Sequence, residues 1–260
     1  MNKTQLVHVG LRLLGPALLC GLFLATMHAH SLPKQAPETA PKPVESPPVP
    51  PPPGAKNVVY LFTGKPNEIA ENWVYRGSHQ PAQWIFDHGT MRPRGGDIIS
   101  KQTFTDFHLH VEFWEPYMPN AHGQERGNSG VAPYGLYEIQ VLDSYGIPDP
   151  GTGDCGAVYG QTAPLLNACK PPLQWQTYDI IFRAPRWDTN GKKIEDARVT
   201  VLQNGIVVQN NTIIPEPTGI AYGRKEHPGP GPILLQDHGS PVRFRNVWVI
   251  PLPEHGATHY

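Results

Sequence analysis

Charged side chains are scarce and balanced in this chain of 260 residues. Only 17% are Asp, Glu, Lys or Arg, and the formal net charge is −1. A net charge this close to zero provides no basic face for nucleic acid and no attraction to an anionic membrane surface. Three cysteines are present, and none lies in a CxxC pair of the kind that binds zinc. We therefore expect no nucleic-acid partner.

An apolar stretch occurs at the N-terminus, over residues 13–25, after Lys3 and Arg12. A positive start, a short apolar stretch and small residues at Ala25 and Ala29 are typical of a secretory signal peptide, whereas a membrane span needs about 20 apolar residues. The sequence predicts a signal peptide over residues 1–29, no stable membrane insertion after its cleavage, and a periplasmic or secreted protein. An uncleaved N-terminal anchor is the alternative.

Signal cleavage would remove Cys20 and leave Cys155 and Cys169. An even pair of cysteines in an exported chain favours a disulfide that closes a short loop, which would contribute about 3 kcal/mol of stability. Two free thiols are the alternative.

Proline is abundant, with 31 residues, and it is concentrated in the segment LPKQAPETAPKPVESPPVPPPP at residues 32–53. Such a composition cannot build a packed core and favours an extended, semi-rigid spacer. The sequence therefore predicts a disordered Pro-rich linker over residues 30–56, one folded domain over residues 57–253, and a flexible tail over residues 254–260.

Short alternating segments fill the folded domain, and no stretch has a sustained helical period. In residues 107–114 one side consists of Phe107, Leu109, Val111 and Phe113, and the other of His108, His110, Glu112 and Trp114. Strict alternation predicts a half-buried strand. The dipeptide Asn204-Gly205 between two such segments predicts a type I′ hairpin turn. Two packed antiparallel sheets follow from this pattern.

Several short motifs occur in a definite order along the domain: Leu61–Lys65 (LFTGK), Arg126–Val131 (RGNSGV), Tyr137–Ser144 (YEIQVLDS), Ala157–Gly160 (AVYG), Trp175–Asp179 (WQTYD), Asn204-Gly205, Leu235–Gly239 (LQDHG) and Val242–Trp248 (VRFRNVW). With this set the chain resembles the 3-keto-disaccharide hydrolase domain family from about Tyr60 to Leu252. The resemblance implies an all-β, two-sheet antiparallel jelly-roll sandwich of the concanavalin or laminin-G type. It also implies substrates that are glycosides whose C3 hydroxyl has been oxidised to a ketone.

Side-chain parity locates a candidate site on this fold. If Ile139 and Val141 enter the core, Glu138 and Gln140 face away from it, toward the concave sheet surface that holds the sugar in such a fold. Glu112 lies on the non-core side of its own strand. If both strands belong to the same sheet, the cleft would contain two carboxylates.

A 3-keto sugar gives such a cleft a defined task, because the ketone acidifies the proton on C2. The reaction needs a base, an acid near the leaving oxygen and a donor to the C3 enolate oxygen. We expect Glu138 as the base, Arg126 or His238 as the enolate donor, and Glu112 or His110 as the acid. The residues expected to position sugar hydroxyls are Asn128, Gln140, Gln236 and Tyr159.

Other interpretations of the same residues stay open. Glu138 and Gln140 could simply keep a sheet surface soluble, and the protein could be a non-catalytic carbohydrate-binding module. A carbohydrate is the expected partner in both cases. No cofactor is expected, although the spacing His108-x-His110-x-Glu112 is compatible with a divalent cation. The loop Asp149–Asp154 is a second, equally open candidate for calcium.

Overall fold

The computed structural model describes residues 40–254, and these residues form almost entirely β-structure. The strands are β1 Val59–Phe62, β2 Trp73–Tyr75, β3 Ile85–Asp87, β4 Thr90–Arg92, β5 Ile98–Phe104, β6 Phe107–Trp114, β7 Ser129–Ala132, β8 Ile139–Val141, β9 Trp175–Arg183, β10 Arg186–Trp187, β11 Lys193–Glu195, β12 Ala197–Gln203, β13 Ile206–Ile214, β14 Gly231–Leu235 and β15 Arg243–Pro251. One α-helix, α1, spans Asn67–Asn72. In this part of the chain no helix is long and apolar enough to cross a membrane. The predicted signal peptide and residues 255–260 of the predicted tail lie outside the described residues.

Most of the strands form two antiparallel sheets, and β10 and β11 pair with each other as a separate two-stranded sheet. The large sheet has the order β13-β12-β9-β6-β15-β4-β3, with β1 also paired to β15, and the small sheet has the order β2-β5-β14-β7-β8. Buried apolar side chains from both sheets fill one core between them, among them Leu109 and Phe113 of β6, Ile139 of β8, Leu235 of β14 and Phe244 of β15. The predicted two-sheet antiparallel sandwich is confirmed.

The buried faces of β6 and β8 and the turn at Asn204-Gly205 are those that the sequence predicts. The four alternate apolar residues of β6 are fully buried in the core, and so are Ile139 and Val141 of β8. The turn between β12 and β13 has a positive φ at both Asn204 (54°) and Gly205 (79°), the geometry that a type I′ turn requires.

A bulge in β15 reverses the alternation near its middle. Asn246 has a φ of 48°, and the pairing of β15 with β6 changes register between Arg245 and Trp248. The extra residue turns Trp248 to the outer face of the large sheet, where its ring stacks on His110 with centroids 4.7 Å apart. Unbroken alternation from Phe244 would direct Trp248 into the core, and the bulge turns it to the opposite face instead.

Residues 44–49 of the Pro-rich segment contact the large sheet, whereas residues 30–39 of the predicted linker lie outside the described residues. We call residues 44–49 the proline strap. The Val49 N–H donates to Glu112 Oε1 (2.6 Å), and the Val49 carbonyl accepts from Asn246 Nδ2 (2.7 Å). Arg245 donates to a second strap carbonyl at 2.6 Å. The strap is held because proline-rich backbone leaves its carbonyls free to accept hydrogen bonds from polar groups on the sheet.

The predicted disulfide between Cys155 and Cys169 is wrong for this structure, because both residues are free thiols. Their sulfurs accept hydrogen bonds from the same donor, Gln203 Nε2, at 3.4 and 3.2 Å. Cys155 Sγ also lies 3.1 Å from the Tyr178 hydroxyl. The two thiols thus take part in a polar cluster inside the domain without forming a disulfide.

Candidate active site

A polar pocket lies on the non-core side of the small sheet, where β8 forms the edge. Because Ile139 and Val141 occupy the core, Glu138 and Gln140 point to the opposite side, and both line this pocket of about 110 Å³. Six of the nine predicted site residues line it together: Glu138, His238, Asn128, Gln140, Tyr159 and Gln236. The remaining lining residues are Gln124, Gly219, Ile220 and Tyr222.

Three neighbouring segments hold Glu138 in place. Its backbone N–H donates to Thr218 Oγ1 (2.9 Å), and its carbonyl accepts from the Tyr159 N–H (3.0 Å). Its carboxyl lies over Gly130 of β7, where a Cβ atom would be only 2.5 Å from Glu138 Oε1. A glycine at position 130 is therefore required by the position of the carboxyl group.

The amide of Gln140 lies beside the Glu138 carboxyl. One terminal atom of this amide is 3.2 Å from Glu138 Oε1 and 3.1 Å from the Ser129 carbonyl oxygen. Because both neighbours are acceptors, the amide nitrogen takes this position and donates to them. Gln140 thus orients the carboxyl from the same strand.

Burial raises the pKa of Glu138 from 4.5 to about 8. The carboxyl loses most of its hydration, since the residue is 3% exposed, and the negative charge of Asp97 raises the pKa further. The positive charge of Arg76 opposes these effects without cancelling them. A carboxyl with a pKa near neutrality can both accept and return a proton under ordinary conditions.

The opposite wall of the pocket follows β14. The backbone of Gln236 is fixed by its N–H donating to the Gly130 carbonyl (3.0 Å) and by its own carbonyl accepting from Ser129 Oγ (2.7 Å). The side-chain Oε1 of Gln236 is buried and has no hydrogen-bond partner within the described residues. A buried amide oxygen without a partner is a natural acceptor for a ligand hydroxyl. His238 lies at the exposed rim.

Glu112 and His110 are remote from this pocket. They belong to β6 of the large sheet, whereas β8 belongs to the small sheet, so the condition that would have joined the two carboxylates is not met. Glu112 is buried beneath the proline strap, where it accepts from Arg245 Nε (2.7 Å) and Asn246 Nδ2 (2.8 Å). Neither residue lines the pocket, and the expectation that one of them is its acid is wrong.

His110 takes part in an ionic network on that outer face. Its Nδ1 lies 2.8 Å from Asp179 Oδ1, and its Nε2 lies 3.6 Å from Glu112 Oε1. Burial opposes the charged imidazole, but the two carboxylates prevail and raise the pKa of His110. The network therefore stabilises the contact between sheet and strap.

Arg126 also lies outside the pocket lining. Its Nη2 is 2.9 Å from Asp143 Oδ2, and its carbonyl accepts from the Asp143 N–H at 3.0 Å. The guanidinium neutralises a buried carboxylate at the end of β8. The structure gives Arg126 this structural contact in place of the predicted contact with substrate.

The histidines considered as metal ligands are engaged internally. His108 Nε2 and His110 Nδ1 both lie within hydrogen-bond distance of Asp179 Oδ1, at 2.9 and 2.8 Å. Asp154, in the loop considered for calcium, accepts a loop backbone N–H at 2.7 Å. Among residues 40–254, no three His, Cys, Asp or Glu side chains are arranged to hold a metal ion.

Sequence reasoning did not find three of the side chains that line the pocket: Gln124, Ile220 and Tyr222. Each lies in a connection between strands, where neither alternation nor turn chemistry indicates a direction. Tyr222 has a φ of 48° and follows a short 3₁₀ turn at Gly219–Ala221. A bulky residue in this left-handed conformation is uncommon, and the sequence alone does not show it.

The fold and the pocket define a β-sandwich protein with a buried carboxyl group among amides, tyrosines and an imidazole. The chain belongs to the family of 3-keto-alpha-glucoside-1,2-lyase-like domains, whose family model matches residues 58–250. The resemblance of the ordered motifs is thereby confirmed. No curated protein is a detectable relative by sequence.

Three solved structures from Parabacteroides distasonis ATCC 8503, each provisionally described as a glycosyl hydrolase, are similar to this chain. The first has 38% identity and a TM-score of 0.67, with 76% of this chain and 84% of that chain covered. Another has 25% identity and a TM-score of 0.51, with 76% and 100% covered. A third, at 20% identity and a TM-score of 0.54 over 75% and 94%, shows the fold alone.

Proposed function

We propose that this protein cleaves glycosides whose C3 hydroxyl has been oxidised to a ketone, with Glu138 removing the proton from C2. The observation that carries the proposal is the buried Glu138 carboxyl, with a pKa raised to about 8, in a pocket of hydrogen-bonding side chains. A base of this strength suits the removal of a C–H proton that a neighbouring ketone has acidified. Family membership and the similar structures described as glycosyl hydrolases support the same substrate class.

The reaction begins when ionised Glu138 takes the C2 proton and the electron pair forms the C2–C3 enolate. The enolate collapses and expels the glycosidic oxygen from C1, which leaves a C1–C2 double bond conjugated with the C3 ketone. The leaving oxygen takes a proton. Water then adds across the double bond at C1, which completes a net hydrolysis; release before this addition makes the same chemistry a lyase reaction.

The pocket residues take roles that follow from their chemistry. We assign His238 as the donor to the C3 enolate oxygen, and Asn128, Gln140, Gln236 and Tyr159 to the sugar hydroxyls. Preorganised donors at a developing oxyanion typically account for about two to three powers of ten in rate. Since Glu112 and His110 lie elsewhere, the proton for the leaving oxygen comes from protonated Glu138 or from a pocket tyrosine.

The test uses a p-nitrophenyl 3-keto-glucoside, in both anomeric forms, with the unoxidised glucoside as the control substrate. We expect release of nitrophenol from the oxidised substrate only, a slower rate when C2 carries deuterium, and loss of turnover in Glu138→Gln. The matched control is Glu112→Gln, which should retain turnover. Equal cleavage of the unoxidised glucoside, or full activity of Glu138→Gln, would contradict the proposal.

The same assay separates the enzyme from a carbohydrate-binding module. A module would bind the oxidised sugar, by calorimetric titration, without releasing nitrophenol. Turnover that depends on Glu138 would exclude a module.

We also propose that the protein is periplasmic or secreted, a location that rests on the signal-like residues 1–29. Expression of the full chain in a bacterium with an outer membrane, followed by fractionation and N-terminal sequencing, checks this location. A chain that stays in the cytoplasm would contradict it.

A further inference from the structure

A second cleft adjoins the Glu138 pocket, and Tyr222 lines both of them. This second cleft has a volume of about 460 Å³, compared with about 110 Å³ for the first. Its lining residues are Tyr75, Arg76, Gly77, Ser78, Gly95, Gly96, Asp97, Tyr222 and Arg224. None of the sequence motifs pointed to it.

Arg76 carries a buried charge in this cleft that is only partly satisfied. Its side chain is 8% exposed, and its Nη1 makes one 3.3 Å contact with Asp97 Oδ2. Its Nη2 has no hydrogen-bond partner within the described residues, and the Tyr222 ring centroid lies 5.0 Å from the guanidinium carbon. A buried guanidinium N–H without an acceptor is expensive, and an anionic ligand would satisfy it.

The cleft has an excess of positive charge. Arg76 and Arg224 both line it, and Asp97 is the sole acidic side chain among its described lining residues. The other oxygen of Asp97 already accepts the Asp237 N–H at 2.9 Å. Burial, together with the nearby charge of Arg224, lowers the pKa of Arg76.

The relative size of the two clefts indicates what each can hold. Glu138 must reach C2 of the reacting ring, so that ring belongs in the smaller pocket. The larger cleft begins at Tyr222, on the side of the pocket toward Arg76, and has room for a further ring. The group across the glycosidic bond from the reacting sugar is the ring that fits there.

We infer that the cleft of Arg76 and Arg224 is the subsite for the leaving group and that it binds a carboxylate carried by that group. The inference rests on the proposed function and adds its substrate class, namely acidic 3-keto-glycosides. A uronic acid and an aromatic acid present the same carboxylate chemistry, and the two are distinguished by experiment.

The experiment compares two matched substrate pairs, each with a 3-keto-glucosyl group. One pair has p-carboxyphenyl or p-carboxamidophenyl as the leaving group, and the other has glucuronic acid or glucose. We expect kcat/KM to favour the acidic member of at least one pair by about tenfold, as for one charge-assisted contact. The pair that shows the preference identifies the source of the carboxylate.

Arg224→Gln is the test variant, because this exposed side chain can be replaced without leaving a cavity. It should abolish the preference for the acidic member, measured as the ratio of the two kcat/KM values within each pair. Arg76→Gln should do the same, with its fold checked by circular dichroism. Arg183→Gln, on β9 of the large sheet, is the control that should keep the preference. An acid-to-neutral ratio that is the same in wild type and Arg224→Gln for both pairs would overturn the inference.

Direct binding distinguishes failure of this inference from failure of the proposed function. If wild type turns over none of the four substrates, the proposed function fails, and titration with glucuronate against glucose, followed by NMR, tests the cleft alone. Glucuronate binding that Arg224→Gln weakens would support a carboxylate subsite. Equal responses to glucuronate and glucose would refute it.

Discussion

Replacement of Glu138 by glutamine should make the stability of the protein less sensitive to pH. The carboxyl has a pKa of about 8 in the folded protein and an ordinary value of 4.5. Between these values the folded state holds a proton that the unfolded state releases, so wild type loses stability as the pH rises from about 4.5 to 8. A glutamine side chain has the same shape and no charge, so the Glu138→Gln variant avoids this loss.

The magnitude follows from the two pKa values. At about 1.4 kcal/mol per pKa unit, keeping the ionised carboxyl buried costs roughly 5 kcal/mol at high pH. The quantity to follow is the free energy of unfolding of Glu138→Gln minus that of wild type. This difference should increase by on the order of 4 kcal/mol between pH 5 and pH 9. Contributions from other titrating groups cancel in this difference, because both proteins contain them.

Urea denaturation at pH 5 and pH 9, followed by tryptophan fluorescence, measures this difference. The matched control is Glu71→Gln on helix α1, an exposed carboxylate that keeps its hydration in the folded state. Its difference from wild type should change little between the two pH values. If Glu138→Gln shows the same difference from wild type at pH 5 and pH 9, the carboxyl is not held in a poorly hydrated pocket, and the case for its role as a base fails.

Three further predictions concern activity and packing. The kcat/KM for a 3-keto-glucoside should rise with pH through about 8, because the base must be ionised; a profile flat from pH 6 to 9 would exclude Glu138 as that base. Gly130→Ala should reduce kcat at least tenfold. Gly219→Ala, which has open space at its Cβ position, should reduce kcat less. Equal rates for the two variants would show that the Glu138 carboxyl does not need the space over Gly130. Glu112→Gln should lower the free energy of unfolding by about 2–3 kcal/mol, because the largely buried Arg245 loses the closer of its two charged partners, and should leave kcat unchanged; lost turnover in a folded protein would return Glu112 to the active site.

Much of the candidate site could be predicted from the sequence because the relevant signals are local. Ile139 and Val141 alternate with Glu138 and Gln140, and side-chain parity in a strand depends on the strand alone. The ordered motifs added Asn128, Gln236 and His238, and the structure brings these side chains to one pocket.

Other features depended on contacts that alternation does not encode. Alternation correctly put Glu112 on the non-core side of its strand, but that strand belongs to the other sheet. Alternation shows that a polar side faces away from the core; it does not show which other strands lie beside it. The bulge at Asn246 shifted Trp248 to the outer face, and the proline strap covered it there.

The sequence by itself determined that this is an all-β sandwich and which side of each strand is apolar, since periodicity and turn residues act over a few neighbouring positions. Only the tertiary structure decided which strands are neighbours, how deeply Glu138 is buried, and that Arg76 and Tyr222 lie beside it. Those properties arise from long-range packing, which removes water from some polar groups and leaves others exposed, and no local pattern records that choice.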